Sequence, residues 1–279
     1  MRPVLVTLHA HPDDEAIFTG GTIVRAVRAG WRVVLIVATD GDRGRFAGAV
    51  GTDLGAHRRA ETLAAALVLG VERVEFLGYG DSGYDDPSGG DPEDRIASAR
   101  ALRSGTLAAA HVDAVAAAVR RVLVEEGAVA LTSYDDNGIY GHIDHVQVHE
   151  IAVRSVESTS CEHYESTLDR SALRRLRKEL VGRGLGTDLW PSVLAEQLGV
   201  EGGPSLVTVD VTGQLEHKLA AIAAHASQVL EASTFMGLPA GAFHRLLRTE
   251  WFRVARRGRG HFLTMLRATD DLDVRPVAV

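Results

Sequence analysis

The chain has 279 residues, 46% apolar and 24% charged, enough to bury a sizeable core in one large domain. With 37 acidic against 30 basic residues its formal charge is −7, which argues against nucleic acid as the main partner, because phosphate binding requires a basic surface. A single cysteine, Cys161, excludes an internal disulfide and fits a reducing compartment, and no stretch is long and apolar enough to cross a bilayer.

Val4 to Leu8 is a continuous β-prone run, as expected of a central parallel strand buried on both faces. It is too short for a signal-peptide core and runs into a cluster of acids, so a cytoplasmic protein without stable membrane insertion is expected. Thr22 to Ala29 reads as a helix stopped by Gly30, and Val33 to Ala38 as a second buried strand. A Gly- and Asp-rich loop from Thr39 to about Gly55 leads to a helix over His57–Leu69 and a short third strand, Val74–Leu77. From Gly78 to about Gly105 the chain is dense in Gly, Asp, Pro and Ser; a connection this long is a candidate lid. Ala108–Glu126 reads as a helix, Ala128–Thr132 as a fourth strand, and Ile143–Val156 as a helix opened by the loop Ser133–Gly141. Beyond about residue 160 the pattern is less regular, with helices over Leu173–Val181 and Leu215–Ala226 and strands over Ser205–Val211 and Glu250–Ala255. Alternating strands and helices predict an α/β fold, a mainly parallel, Rossmann-like sheet flanked by helices, as a single domain over 1–279. In such sheets the active site lies at the carboxyl ends of the strands.

Two polar clusters fall directly after predicted strands. The first, His11-Pro12-Asp13-Asp14-Glu15, brings adjacent carboxylates to a sheet end, which is costly without a cation or donors. A divalent metal resolves that cost, and imidazole with carboxylate suits zinc, iron, cobalt or nickel. His11 and Asp14 are placed to converge on one ion while Asp13 points elsewhere; Glu15 either supports the loop or caps the next helix. The second cluster holds Tyr140, His142, Asp144, His145 and His149. His145 and His149 are four apart on one helix, a spacing able to chelate zinc, so several ligand sets remain open; His149 reads as structural. Together the clusters supply three ligands with residues left for acid–base work.

Ala10-His11-Pro12-Asp13-Asp14-Glu15, taken with Gly141-His142-Ile143-Asp144-His145, resembles the LmbE-like, or PIG-L, family of zinc-dependent N-acetylglucosamine deacetylases; Lys218 and His225-Ala226-Ser227-Gln228 are also similar to the family. The resemblance implies a Zn2+ ion (with Fe2+ or another divalent metal as substitutes) held by His11, Asp14 and His145. It implies Asp13 as general base, His142 as the residue that stabilises the oxyanion and protonates the leaving amine, Asp144 as the support of His142, and Tyr140 beside them. Ile143 stands where the family commonly has proline.

On this reading Asp13 takes a proton from water, and protonated His142, with Tyr140, meets the oxyanion. Asp42, in the loop after the second strand, is a candidate acceptor for sugar hydroxyls. Arg58, with Glu61 on the next turn, is a candidate substrate contact or else a surface pair. The expected partner is a small amino-sugar substrate. An amidase acting on a thiol conjugate or other small amide, and a non-catalytic sugar-binding relative, are the competing readings. A dinucleotide site is disfavoured because no G-x-G-x-x-G follows the first strand.

Overall fold

A computed structural model describes residues 2–43, 53–83, 104–184, 197–228 and 240–268. Its seven strands form one sheet in the order β3-β2-β1-β4-β5-β7-β6. They are β1 (Val4–His9), β2 (Arg32–Thr39), β3 (Arg73–Tyr79), β4 (Ala130–Tyr134), β5 (Glu162–Thr167), β6 (Leu206–Asp210) and β7 (Thr249–Arg256). The first five pair in parallel, and β7 and β6 continue the sheet antiparallel. The fold is therefore α/β, with a mostly parallel sheet flanked by helices.

Every residue of β1 is buried, so both faces of the sheet are covered there, which explains why its sequence is apolar without alternation. The helices of five or more residues are α1 (Asp14–Phe18), α2 (Gly20–Arg28), α3 (Leu54–Leu69), α4 (Val112–Glu125), α5 (Ile143–Val156), α6 (Arg170–Gly182), α7 (Leu215–Ala224), α8 (Ala240–Leu246) and α9 (His261–Arg267). Among them α4 packs on α5, while α2 and α3 pack against α7. No helix of the described residues is long and apolar enough to cross a membrane.

The order of the strands decides where a site can form. From β1 the chain builds outward through β2 to β3, then returns through α4 to place β4 on the other side of β1. Beyond the carboxyl ends of β1 and β4 lies the point where the strand order reverses, the crevice in which open α/β sheets bind ligands. The loops that leave these two neighbouring strands carry the two polar clusters.

The structure departs from the sequence reading in two places, and a third expectation falls on residues it does not describe. Strand β5 is absent from that reading, because Glu162, His163 and Glu165 make it look like surface. All its residues are buried, and the charges are matched: Glu162 Oε1 accepts from the Gly260 amide at 2.6 Å, and Glu165 Oε2 from Arg253 Nε at 2.5 Å. Helix α4 begins at Val112 rather than Ala108, since Thr106 still bridges to Gly80. Most of the proposed lid, residues 84–103, lies outside the described residues.

Candidate metal centre

The first loop is tight. The Asp14 side chain turns back so that Oδ2 accepts the His11 amide at 2.8 Å, and Asp13 between them is forced to φ 110°, ψ −29°. A positive φ in a non-glycine residue is strained backbone, which persists only where its surroundings enforce it. Glu15 enforces it here. Its Oε2 accepts the Asp13 amide at 3.1 Å, and its Oε1 is held by His225 Nε2 at 2.6 Å. Glu15 is fully buried and is thus a brace for the turn, not a solvent-facing helix cap.

The second loop is braced from within. Asp135 Oδ1 accepts the amides of Asn137 (3.1 Å) and Ile139 (2.9 Å), and Thr167 Oγ1 donates to Oδ2. These bonds hold buried Ile139 at φ 66°, again an unfavourable backbone for a β-branched residue. At neighbouring Gly138, φ 60°, a Cβ atom would lie 2.6 Å from the Cβ of His145, so only glycine permits this approach. The turn delivers Tyr140, whose hydroxyl lies 3.2 Å from His145 Nε2. His142 then caps α5, its Nδ1 accepting the Asp144 amide at 3.1 Å.

The loops bring His11 Nδ1, Asp14 Oδ2 and His145 Nε2 into a triangle. His145 stands 3.3 Å from each of the other two atoms, and His11 and Asp14 are 3.5 Å apart. In a tetrahedral zinc site with bonds of about 2.0–2.1 Å, ligand atoms lie about 3.3–3.4 Å apart, so the triangle has the size of one face of such a site. The donor set, two imidazoles and a carboxylate, also fits a divalent metal.

On its far side His11 Nε2 faces Asp144 Oδ2 at 3.2 Å and Asp81 Oδ1 at 3.6 Å. A carboxylate behind a ligating imidazole fixes the ring's tautomer and leaves the other nitrogen free for metal. Asp144 is fixed in turn by Ser82, through its amide at 2.9 Å and its hydroxyl at 2.5 Å. His11, Asp81, His142 and Asp144 also converge within metal-binding distance. In that group the Asp144 oxygens also serve His11 and Ser82, and Asp81 Oδ1 accepts the Gly83 amide at 2.8 Å, just as Asp14 Oδ2 in the triangle accepts the His11 amide and the Tyr134 hydroxyl.

The electrostatics follow from this packing. Burial opposes a charge on His11, but the carboxylates of Asp81, Asp14 and Asp144 outweigh it and raise its pKa well above the usual imidazole range. Burial likewise works against ionised Asp14, and His145 and His11 overcome it, holding the carboxyl well below its usual range. Asp13 is pushed up to about 8, first by burial and then by the like charge of Asp14. His142 is pushed down to about 3, by burial first and by His11 next. Its ring is therefore neutral, and since Nδ1 accepts an amide, the proton sits on Nε2.

The GlcNAc-PI de-N-acetylase (PIG-L) model matches residues 6–156. The chain is 32% identical over 287 residues to the 1D-myo-inositol 2-acetamido-2-deoxy-alpha-D-glucopyranoside deacetylase of Geodermatophilus obscurus, covering 92% of this chain and 93% of that one. The chain belongs to the PIG-L family. The enzyme of the same name from Thermobispora bispora is 31% identical, with 88% of this chain and 85% of that one covered. Among solved structures, the N,N'-diacetylchitobiose deacetylase of Pyrococcus horikoshii matches with a TM-score of 0.56 at 22% identity, covering 91% of this chain and 84% of that one. A deacetylase of teicoplanin biosynthesis matches with a TM-score of 0.60 at 18% identity, covering 91% and 98%.

Of the residues expected from the PIG-L resemblance, His11, Asp13, Asp14, Tyr140, His142, Asp144 and His145 gather at one sheet end. Asp144 serves more than His142: its carboxylate binds His11 and Ser82, while its backbone amide donates to His142 and its charge acts on that ring. His149 lies apart, bonded to the Tyr134 carbonyl at 3.2 Å and beside Glu165 at 3.3 Å. Asp42 accepts the Asp81 amide at 2.9 Å and so pins the loop bearing Asp81. Arg58 is buried, not an exposed pair, and lies against Gly41 near Pro12. Glu61 instead accepts the amide (2.8 Å) and hydroxyl (2.6 Å) of Ser227. Asp81 and Ser82 escaped the sequence reading; their signal was their place just after the third strand, at the same carboxyl edge.

The brace on Asp13 has a pH signature. Against burial, which favours the neutral ring, Glu15, Asp13 and Glu61 raise the pKa of His225. A raised histidine contributes stability that is full below its unfolded value, about 6.5, and is lost as pH climbs through its folded value. The melting temperature of metal-free protein is expected to fall more steeply above about pH 6.5 in the wild type than in His225→Gln. Calorimetry across that range tests this; parallel curves would remove His225 from the brace.

Proposed function

We propose that this chain is a Zn2+-dependent deacetylase that removes the N-acetyl group from an N-acetylglucosamine-type amino sugar, with His11, Asp14 and His145 holding the metal. The carrying observation is the 3.3–3.5 Å triangle of their ligand atoms, with Asp13, His142 and Tyr140 around it. The PIG-L relatives named as deacetylases of a 2-acetamido-2-deoxyglucoside support the substrate class.

When bound, the metal acts as a Lewis acid that polarises water and the acetyl carbonyl. Asp13 accepts the proton of the attacking water and later passes it to the departing amine. The neutral ring of His142 offers its Nε2 proton to the carbonyl oxygen as negative charge builds there, a change from the protonated ring expected from sequence. Tyr140, whose hydroxyl lies 3.2 Å from His145 Nε2, offers a second donor. Asp144 keeps the His11 ring in register, and Asp42 and Arg58 shape the sugar side by holding the Asp81 loop and the first motif.

Purified, Zn2+-loaded protein is to be incubated with N-acetylglucosaminyl-inositol, diacetylchitobiose and an N-acetylated thiol conjugate, with free amine and acetate read by mass. Equimolar amine and acetate from a glucosaminide is the expected result. Turnover of the thiol conjugate alone would replace the substrate class, and binding without turnover would reduce the chain to a sugar-binding protein.

A further inference from the structure

Tyr134, the last residue of β4, is fully buried and touches two of the three proposed ligands in different ways. Its hydroxyl is 2.8 Å from Asp14 Oδ2, and its ring stacks on His145 with centroids 4.2 Å apart and planes 12° from parallel. Phe18 meets both rings edge-on, at 6.0 Å from Tyr134 and 6.1 Å from His145.

The direction of the hydroxyl proton follows from valence. The Ala10 amide, 3.0 Å away, can only donate to the phenol oxygen, and the Asp14 carboxylate can only accept from it. The single phenol hydrogen therefore points at Asp14. His9 Nδ1, also 3.0 Å from that oxygen, must then carry a proton of its own and donate. His9 Nε2 is left as an acceptor, facing Thr7 Oγ1 at 2.7 Å and Thr19 Oγ1 at 2.9 Å. The Thr19 hydroxyl donates to the Glu15 carbonyl at 3.1 Å, so Thr7 is the donor to Nε2, and Thr7 Oγ1 accepts in turn from Thr132 Oγ1 at 2.9 Å. Thr132, Thr7, His9, Tyr134 and Asp14 form a one-way chain of donors that ends on the Asp14 oxygen in the triangle. All five are buried, and Thr7 and Thr132 sit opposite one another in the β1–β4 pairing, so the rigid centre of the sheet sets the chain's geometry.

We propose that Tyr134 is a positioning residue of the metal centre, aiming Asp14 with its hydroxyl and His145 with its ring, and that His9 fixes the direction of that hydroxyl. The proposal rests on the reading of His11, Asp14 and His145 as ligands. A hydrogen-bonded neighbour of a ligating group holds the ligand in its binding orientation, and losing such a neighbour weakens metal binding about 10- to 100-fold.

The test uses Tyr134→Phe, which keeps the stacked ring and deletes only the hydroxyl. Zn2+ affinity is to be measured by competition with a chromophoric chelator, and the ligand field by the visible spectrum of the Co2+-loaded protein. A Zn2+ dissociation constant raised about 10- to 100-fold, with shifted Co2+ bands, is expected. A purely structural role would lower the melting temperature of metal-free protein and leave the Co2+ spectrum unmoved, and that result overturns the proposal. Should Tyr134→Phe not fold, His9→Met decides: it leaves Tyr134 intact and removes the donor that orients it, so a smaller loss of affinity with the same spectral shift is expected, and wild-type values overturn the proposal. Asp14→Ala and His145→Ala run in parallel. If they lose Zn2+ while Tyr134→Phe binds as the wild type does, the positioning role alone fails; if they keep wild-type affinity, the ligand reading fails and takes the proposal with it.

Discussion

Asp13→Asn is expected to lower turnover by about 10²- to 10⁴-fold, the usual range for loss of a general base, while metal content stays at the wild-type level. The variant is nearly isosteric, and asparagine is among the residues that best tolerate positive φ, so the strained turn braced by Glu15 and His225 should survive. What disappears is a carboxylate able to accept a proton. A loss of that size is a rise of about 3–5 kcal/mol in the barrier, at 1.36 kcal/mol per decade. The sign of the pH dependence is also fixed: a base acts when ionised, so kcat/KM should rise with pH through the pKa of Asp13. Burial and Asp14 place that value at about 8 in the metal-free protein, and a cation held by Asp14 draws it down, bringing the acid limb of the loaded enzyme below that point. Asp13→Asn should abolish this limb. Steady-state rates across pH with elemental analysis of the same samples decide the matter, and turnover within threefold of wild type would exclude Asp13 as base.

His145→Ala is expected to bring the metal-to-protein ratio close to zero and turnover with it, whereas His149→Ala keeps both. The two histidines are four residues apart on α5, and their spacing alone does not separate them. Their surroundings do: His145 Nε2 lies within 3.3 Å of His11 Nδ1 and Asp14 Oδ2, while His149 is turned to the Tyr134 carbonyl and Glu165. Elemental analysis of both variants after dialysis against a weak chelator is the measurement. Loss of metal from His149→Ala together with retention by His145→Ala would reverse the assignment.

The sequence makes the centre of the fold plain and leaves its rim obscure, for a physical reason. Strands β1 and β2 are covered on both faces, so their apolar runs carry their own explanation, and a histidine followed by three acids at the end of such a run demands one. Strand β5 hides because its buried charges are satisfied by Arg253 and the Gly260 amide, roughly 90 to 100 residues away in the chain. The same holds within the site. The two clusters that hold His11, Asp14 and His145 stand out by composition, and the resemblance to the PIG-L family selects these three among them, but Glu15 is explained only with His225, 210 residues downstream. Asp81 and Ser82 resemble any turn until Asp144 is seen to bind Ser82. Tyr134 reads as part of the loop Ser133–Gly141, whereas it ends β4, and only the geometry of its hydroxyl reveals a polar task.

His11 and His145 are 134 residues apart in sequence yet 3.3 Å apart in space, on loops that leave adjacent strands. A metal held by both is a non-covalent cross-link closing about half the chain into a ring. Unfolding must open that ring, so the ion's binding energy becomes part of the folding energy. At a free metal concentration a hundredfold above its dissociation constant the native state gains about 2.7 kcal/mol, a large share of a typical domain's margin. On the proposed ligand set, the persistence of the folded chain would depend on the metal supply of its surroundings, and starvation for the ion would threaten the protein's lifetime as well as its catalysis.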